Sequence, residues 1–409
     1  MDYRPTSATT LAGSVRYSRA YYHCDHCHQG WFLTDEEMGI EQKQTPGCRE
    51  VVSLTGNLEP FAEAAERLLV KLTGLNVSAS KVRRVTEAVG EDVAERRAEG
   101  ETLGPATPWD WERDANGQRV AYVGLDATAV PQQGPAGKKA EGRMPWVGSV
   151  FNPQPIRERE SCLTTNTAEA SVPGVSINKS PENKSPPVEA CSVEDRKRPR
   201  VWPTRYVSGV MTLDEIGQQL RHECQAVGIA HADVVIGLTD GGNGLESCLV
   251  DTVLSGLARE TVLILDFFHA SEHLRDFAQL WLPNETARHE HVATWCHQLK
   301  HEGGEALLRS LESLDLTWQK PEIQDAHRLL TGYVRKNLHR MDYPKYLARG
   351  WQIGSGEIES ACKGVVNRRL KGPGMRWCLP GTTSLCQLRA LYKSEPCLWQ
   401  AYWNRTTPA

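Results

Sequence analysis

Two short, unbroken apolar runs constrain this chain most: Val234-Val-Ile-Gly-Leu238 and Val262-Leu-Ile-Leu265, with a helical stretch over 244–257 between them. Strands that are apolar on successive residues are buried on both faces, and strand–helix–strand alternation predicts parallel pairing inside a layered α/β core. Upstream, Val120-Ala-Tyr-Val-Gly-Leu-Asp126 reads as a strand. It is followed by Val130-Pro131, a Gly/Lys-rich turn at 134–142 and the apolar stretch Trp146–Phe151, the pattern of a β-hairpin. Arg205–Met211 adds a strand and 213–227 an amphipathic helix.

The chain has 409 residues, room for two to four domains at ~100–200 residues each. Residues 1–56 are polar and hold the cluster His23-Cys24-Asp25-His26-Cys27-His28. Region 57–110 takes a helical period, with Phe61, Ala65, Leu68, Leu69 and Leu72 on one face. Gly74 breaks that helix, and Ser78 or Ser80 is placed to cap the next. Residues 152–204 lose periodicity, fill with Ser, Pro, Asn and Lys, and read as a disordered surface insert. Residues 281–349 are helical throughout, and 355–370 predicts one further helix. The α/β core expected from this texture spans 111–280 and 350–395.

Lys and Arg total 47 against 51 Asp and Glu, a net charge of -4, which excludes a polycationic nucleic-acid coat but not local basic patches. No run approaches the ~18–20 apolar residues of a membrane helix, and the opening residues lack a signal-peptide pattern. The twelve scattered cysteines fit a reduced, cytoplasmic protein.

Three acids stand out by position. Asp126 falls at the end of a strand, Asp240 directly follows a buried strand, and Glu359 lies near the start of the late helix. Strand ends of an α/β sheet are where sites are built. Converging carboxylates repel one another and need cations, and Mg²⁺ takes oxygen ligands from a few carboxylates while leaving positions for water and phosphate. Two such ions ~3.5–4 Å apart serve phosphodiester chemistry. Glu357 competes with Glu359, but residues two apart point ~200° from each other on a helix. Glu359 lies over Cys362 and Val366, at the border of the apolar face.

Tyr122-Val-Gly-Leu-Asp126, Leu238-Thr-Asp240-Gly241, Leu265-Asp266-Phe-Phe-His269-Ala and Gly354-Ser-Gly-Glu-Ile-Glu359-Ser360 occur in that order. Arg368-Arg-Leu-Lys371-Gly-Pro-Gly374-Met-Arg376-Trp377 follows them. Together they resemble the DDE transposases of bacterial insertion sequences, specifically the ISKra-type group, over about 21–403 outside the insert. The resemblance implies an RNase H-like mixed sheet flanked by helices, interrupted by an all-helical insertion before the final acid. It implies Asp126, Asp240 and Glu359 as a triad holding two Mg²⁺ (or Mn²⁺) ions. It also implies double-stranded DNA as partner, both terminal inverted repeats and target, a homodimer on that DNA, and a nucleoid-associated bacterial protein. Ala127 departs from the Gly expected after the first acid. Two rivals are a DNA-binding regulator with a decayed catalytic domain and a metal-dependent nuclease of the same fold.

Other motifs surround the triad. Asp266-x-x-His269 resembles a positioning signature of related transposases, and His273 adds a neighbour one turn on; a hydrogen-bonded structural histidine is the default reading. Seven cations, including Lys363, Arg368, Arg369, Lys371, Arg376 and Arg389, run unopposed from Glu359 to Glu395, which suits a phosphate backbone. The 61–90 segment resembles a helix-turn-helix whose second helix carries Lys81, Arg83 and Arg84. Cys24-x-x-Cys27 is half a zinc site, with His23, His26, His28 and Cys48 as candidates to complete a structural Zn²⁺.

Overall fold

The computed structural model describes residues 2–135, 138–153, 202–242 and 244–406. The expected 152–204 insert lies almost wholly outside these residues, as does its basic run at 196–200. At the front, β1 (Asp2–Thr10) and β2 (Gly13–His23) form a hairpin edged by the short β3 (Gly30–Trp31). Helices Pro46–Leu58, 61–73 and Ala79–Ala98 then pack around Val52, Leu69 and Val82. Gly74 closes the 61–73 helix in the left-handed conformation, and the Ser78 side chain caps the next by accepting from Lys81 N.

The central sheet contains β4 (Val120–Ala127), β7 (Trp146–Phe151), β8 (Thr204–Gly209), β9 (Val234–Thr239) and β10 (Thr261–Leu265). The small hairpin β5 (Val130–Gln133) and β6 (Lys139–Arg143) projects from the β4–β7 connection. Sheet order is β10-β9-β4-β7-β8: β4, β9 and β10 run parallel, while β7 and β8 are antiparallel neighbours. This mixed five-stranded α/β arrangement is compatible with an RNase H-like fold.

Alternation along β4 feeds both sides of the sheet. Val120 and Tyr122 join one core with Val234, Ile236 and Ile264; Ala121, Val123 and Leu125 join the other with Ile216, Leu220 and Leu249. The second face is covered by the Leu213–Ala226 helix, which starts where it does because Thr212 and Glu215 form a reciprocal capping box. The first face is covered by the Phe267–Trp281 helix and the four helices Glu285–Glu302, Gly304–Glu312, Pro321–Asn337 and Tyr343–Ala348. Trp295, Leu299, Leu307 and Leu311 of that helical insertion share one core with the sheet. The insertion is therefore part of the sheet's own packing rather than an appended unit.

The front helices are also built in. The Ala79–Ala98 helix lies against the Leu379–Lys393 helix, with Val89 and Val93 meeting Leu388 and Leu391. The two backbones approach so closely that a Cβ at Gly90 would fall 2.4 Å from the Ser384 carbonyl oxygen. Tyr402 Oη donates to Asp92 at 2.7 Å, and Trp399 Nε1 donates to Glu50 at 3.2 Å. Among the described residues no helix is long and apolar enough to cross a membrane.

Candidate active site

Strand register brings the first two acids together. Gly124 of β4 stands opposite Leu238 of the parallel β9, so Asp126 and Asp240 follow two residues later at adjacent strand ends. Asp126 Oδ1 accepts from Ala127 N at 2.6 Å, and Asp240 Oδ1 accepts from Gly242 N at 2.8 Å. Both carboxylates are half-buried.

The third acid arrives on the 356–370 helix, which crosses the sheet above Gly124. A Cβ at Gly124 would lie 3.0 Å from Ile358 Cγ1, so the missing side chain is what lets this helix come down. One turn beyond Glu359, Cys362 donates its thiol to Asp126 Oδ2 at 3.5 Å. Asp126 is held above the ordinary carboxylate range, first by burial and then by the charges of Asp240 and Glu359, against the opposing Ala127 N–H and Cys362 thiol. Glu357 faces elsewhere: its charge, added to burial, pushes the Tyr206 hydroxyl of β8 up to about 12. Glu359, not Glu357, is among the charges that raise Asp126. Among the described residues, no three His, Cys, Asp or Glu side chains stand at metal-coordination spacing.

Asp266 is buried, only 2% exposed. Its Oδ1 caps the Phe267–Trp281 helix by accepting from Phe268 N at 2.6 Å and His269 N at 3.3 Å. Its Oδ2 accepts from Ser355 N at 3.2 Å and from the Ser355 hydroxyl. Ser355 immediately precedes the helix that carries Glu359, whose amide donates back to Ser355 O at 2.9 Å. One carboxylate thereby ties the end of β10 to the start of the acid-bearing helix. His269 pairs with Glu272 at 3.5 Å and stacks edge-on with His273 at 4.8 Å.

Several neighbours were not legible in the sequence. Tyr333, from the insertion, lies 4.3 Å from the His273 ring, and burial, then the Asp240 charge, raises its hydroxyl against Arg340. Burial, then His269, lowers the His273 imidazole, while Asp276, Glu272 and Asp240 act the other way. Arg340 is 3% exposed and donates to Thr239 Oγ1 at 2.9 Å, fixing the strand end just before Asp240. No local pattern marks the Tyr333–His273 and Arg340–Thr239 contacts, because their partners are 60 and 101 residues apart in the chain.

The cation run divides. Lys363, Arg368, Lys371 and Arg376 are exposed, and Lys371 Nζ donates to Thr128 Oγ1 at 2.7 Å, two residues past Asp126. Arg369 and Arg389, only 1% and 4% exposed, do not lie on the surface that the sequence pattern suggested. Arg369 donates twice to Gly56 O, and Arg389 donates to Asn57 O at 3.3 Å, so both neutralise the carbonyl end of the Pro46–Leu58 helix. Trp377 packs edge-on against Phe61 and donates to Leu370 O. In the front helices Arg83 and Arg84 are exposed, whereas Lys81 Nζ is held by Gln42 O at 2.8 Å.

The cysteine cluster forms a tight turn, with His28 N donating to Cys24 O and Cys24 N to Gln29 O. The Cys24 thiol is held low by the Cys27 amide, then the Cys27 side chain, then the His26 amide. Those two thiols fit half of a metal site. Cys48 cannot join them, since it is wholly buried in the three-helix core beside Val52 and Leu69. The chain matches no protein-family model and no curated protein.

Proposed function

We propose that this protein is a DDE-type transposase that binds the ends of a mobile element, cleaves DNA strands in a Mg²⁺-dependent reaction and joins them to target DNA. The observation that supports this reading is the placement of Asp126 and Asp240 at adjacent parallel strand ends, with the Glu359-bearing helix packed beside Asp126 through Cys362. That helix is seated over Gly124. The RNase H-like strand order, with a helical insertion between the second and third acids, agrees with the same reading.

The donor set suits a hard divalent cation: all ligating atoms are carboxylate oxygens, and Asp126 already feels the charge of both partners. Asp126, Asp240 and Glu359 would hold the ions, which when bound supply activation of the attacking oxygen and stabilisation of the leaving one. The chain's own part is positional. Asp266 fixes the approach of the Glu359 helix, Arg340 fixes the end of β9, and Lys371 beside Thr128 offers a cation to a strand entering the site.

The test is strand cleavage and joining on the DNA flanking the coding region, with Mg²⁺ and with EDTA. Asp126→Ala, Asp240→Ala and Glu359→Ala are each expected to abolish both reactions while end binding survives. Wild-type activity in any one variant would remove that residue from the triad.

A further inference from the structure

Two surface troughs, of about 500 Å³ and 510 Å³, meet along the Gly374–Arg376 segment. The first lies between that segment and the start of the Ala79–Ala98 helix, where Ser80 and Arg83 form one wall and Phe61 part of the floor. The second runs from the same segment over Val130 and Pro131 to Lys139 and Lys371. It comes near the candidate active site, because its lining residue Lys371 bonds Thr128, two residues beyond Asp126.

The lining is unbalanced in charge. Arg83, Arg376, Lys371, Lys139 and the buried Arg369 stand against a single acid, Glu87, among the described lining residues. Between the cations the floor is apolar, with Phe61, Met375, Val130 and Pro131. A duplex presents mainly phosphates to a protein surface and leaves an apolar floor unused. An unpaired strand uses both, placing phosphates on cations and sugars and bases on apolar and aromatic groups.

We propose that the two troughs form one track for an unpaired stretch of DNA strand running toward the Asp126 end of β4. Arg83, Arg376, Lys371 and Lys139 meet its phosphates, and the apolar floor meets its bases. This inference rests on the DNA-processing reading above. It adds Lys139, joins Arg83 to the 371–376 cations in one path, and leaves Lys81 and Arg84 outside it.

The experiment uses the full chain and two probes, a blunt duplex and the same duplex extended by a single-stranded tail. Affinity is read by fluorescence anisotropy over a salt series. Wild-type protein should bind the tailed probe several-fold more tightly than the blunt one. The double variant Arg376→Gln/Lys139→Gln should lose that preference and lower the salt slope on the tailed probe by about 1.4, at ~0.7 per single-strand phosphate contact. The charge-keeping variant Arg376→Lys/Lys139→Arg should retain both, as should Arg309→Gln on the exposed face of the insertion. Equal binding of both probes by wild-type protein, or an unchanged slope in the double variant, overturns the track. Metal-dependent cleavage of the blunt duplex, and its loss in Asp126→Asn, judges the catalytic reading separately.

Discussion

Removing the Asp266 carboxylate tests how the site is assembled. Asp266→Ala strips the cap from the Phe267–Trp281 helix, which costs about 1 kcal/mol. It also orphans the Ser355 amide and hydroxyl in a buried setting, at ~1–3 kcal/mol for each lost buried bond. Shared partners make these terms less than additive, so the expected local loss is ~3–5 kcal/mol. Asp266→Asn separates the two roles. Its carbonyl oxygen can still cap Phe268, but its amide meets the Ser355 N–H donor to donor, for ~1–3 kcal/mol. The assay is hydrogen exchange over 353–370. A loss of ~3 kcal/mol accelerates local exchange by about 100-fold in the alanine variant, while protection in β9 stays near wild type. Exchange over 353–370 within threefold of wild type in Asp266→Ala would refute the claim that this carboxylate seats the Glu359 helix.

Two further outcomes follow from packing and charge. Gly90→Val puts a branched side chain against the Ser384 backbone; overpacking of ~1–3 kcal/mol outweighs the helix-propensity gain, and the thermal midpoint falls, whereas Val at the unobstructed Gly364 leaves the packing intact. Asp233 accepts from Arg119 N and from the Arg119 guanidinium, and these bonds hold its carboxyl well below the ordinary range. A depressed carboxyl contributes stability that is full above its unfolded pKa of ~3.9 and lost as pH falls below it. Asp233→Asn should therefore lower stability at pH 7 by less than about 1 kcal/mol, given its solvent screening, and flatten the acid limb of stability against pH below 4.

The sheet was readable wherever burial was continuous. Val234–Leu238 and Val262–Leu265 are apolar at every step because both faces are covered, and Gly74 and Ser78 mark helix ends by local chemistry alone. Asp126 and Asp240 were visible because they end such strands. Long-range polar partners were not. Arg369 and Arg389 look like surface cations until the carbonyls of Gly56 and Asn57, more than 300 residues earlier, are seen to receive them. Asp266 likewise looks like part of a local Asp-x-x-His motif, yet half of its bonding goes to Ser355, 89 residues on. Periodicity reports which face is buried, and it is silent about which distant donor meets which acceptor.

The insertion's shared core with the sheet has a consequence for synthesis. A ribosome delivers Glu359 119 residues after Asp240, roughly 6–24 s later at ordinary elongation rates. The helix bearing it packs through Ile358, Val365 and Val366 against Val130, Val147 and Leu385, so its seat is completed only when the 379–393 helix has been made. Arg369 and Arg389 then lock onto the front helix that was made first, closing loops of more than 300 residues. A chain stopped in the insertion carries two of the three acids and a half-covered sheet. The contacts that tie the front helix to the 368–393 region therefore form only once the chain has been translated through Arg389.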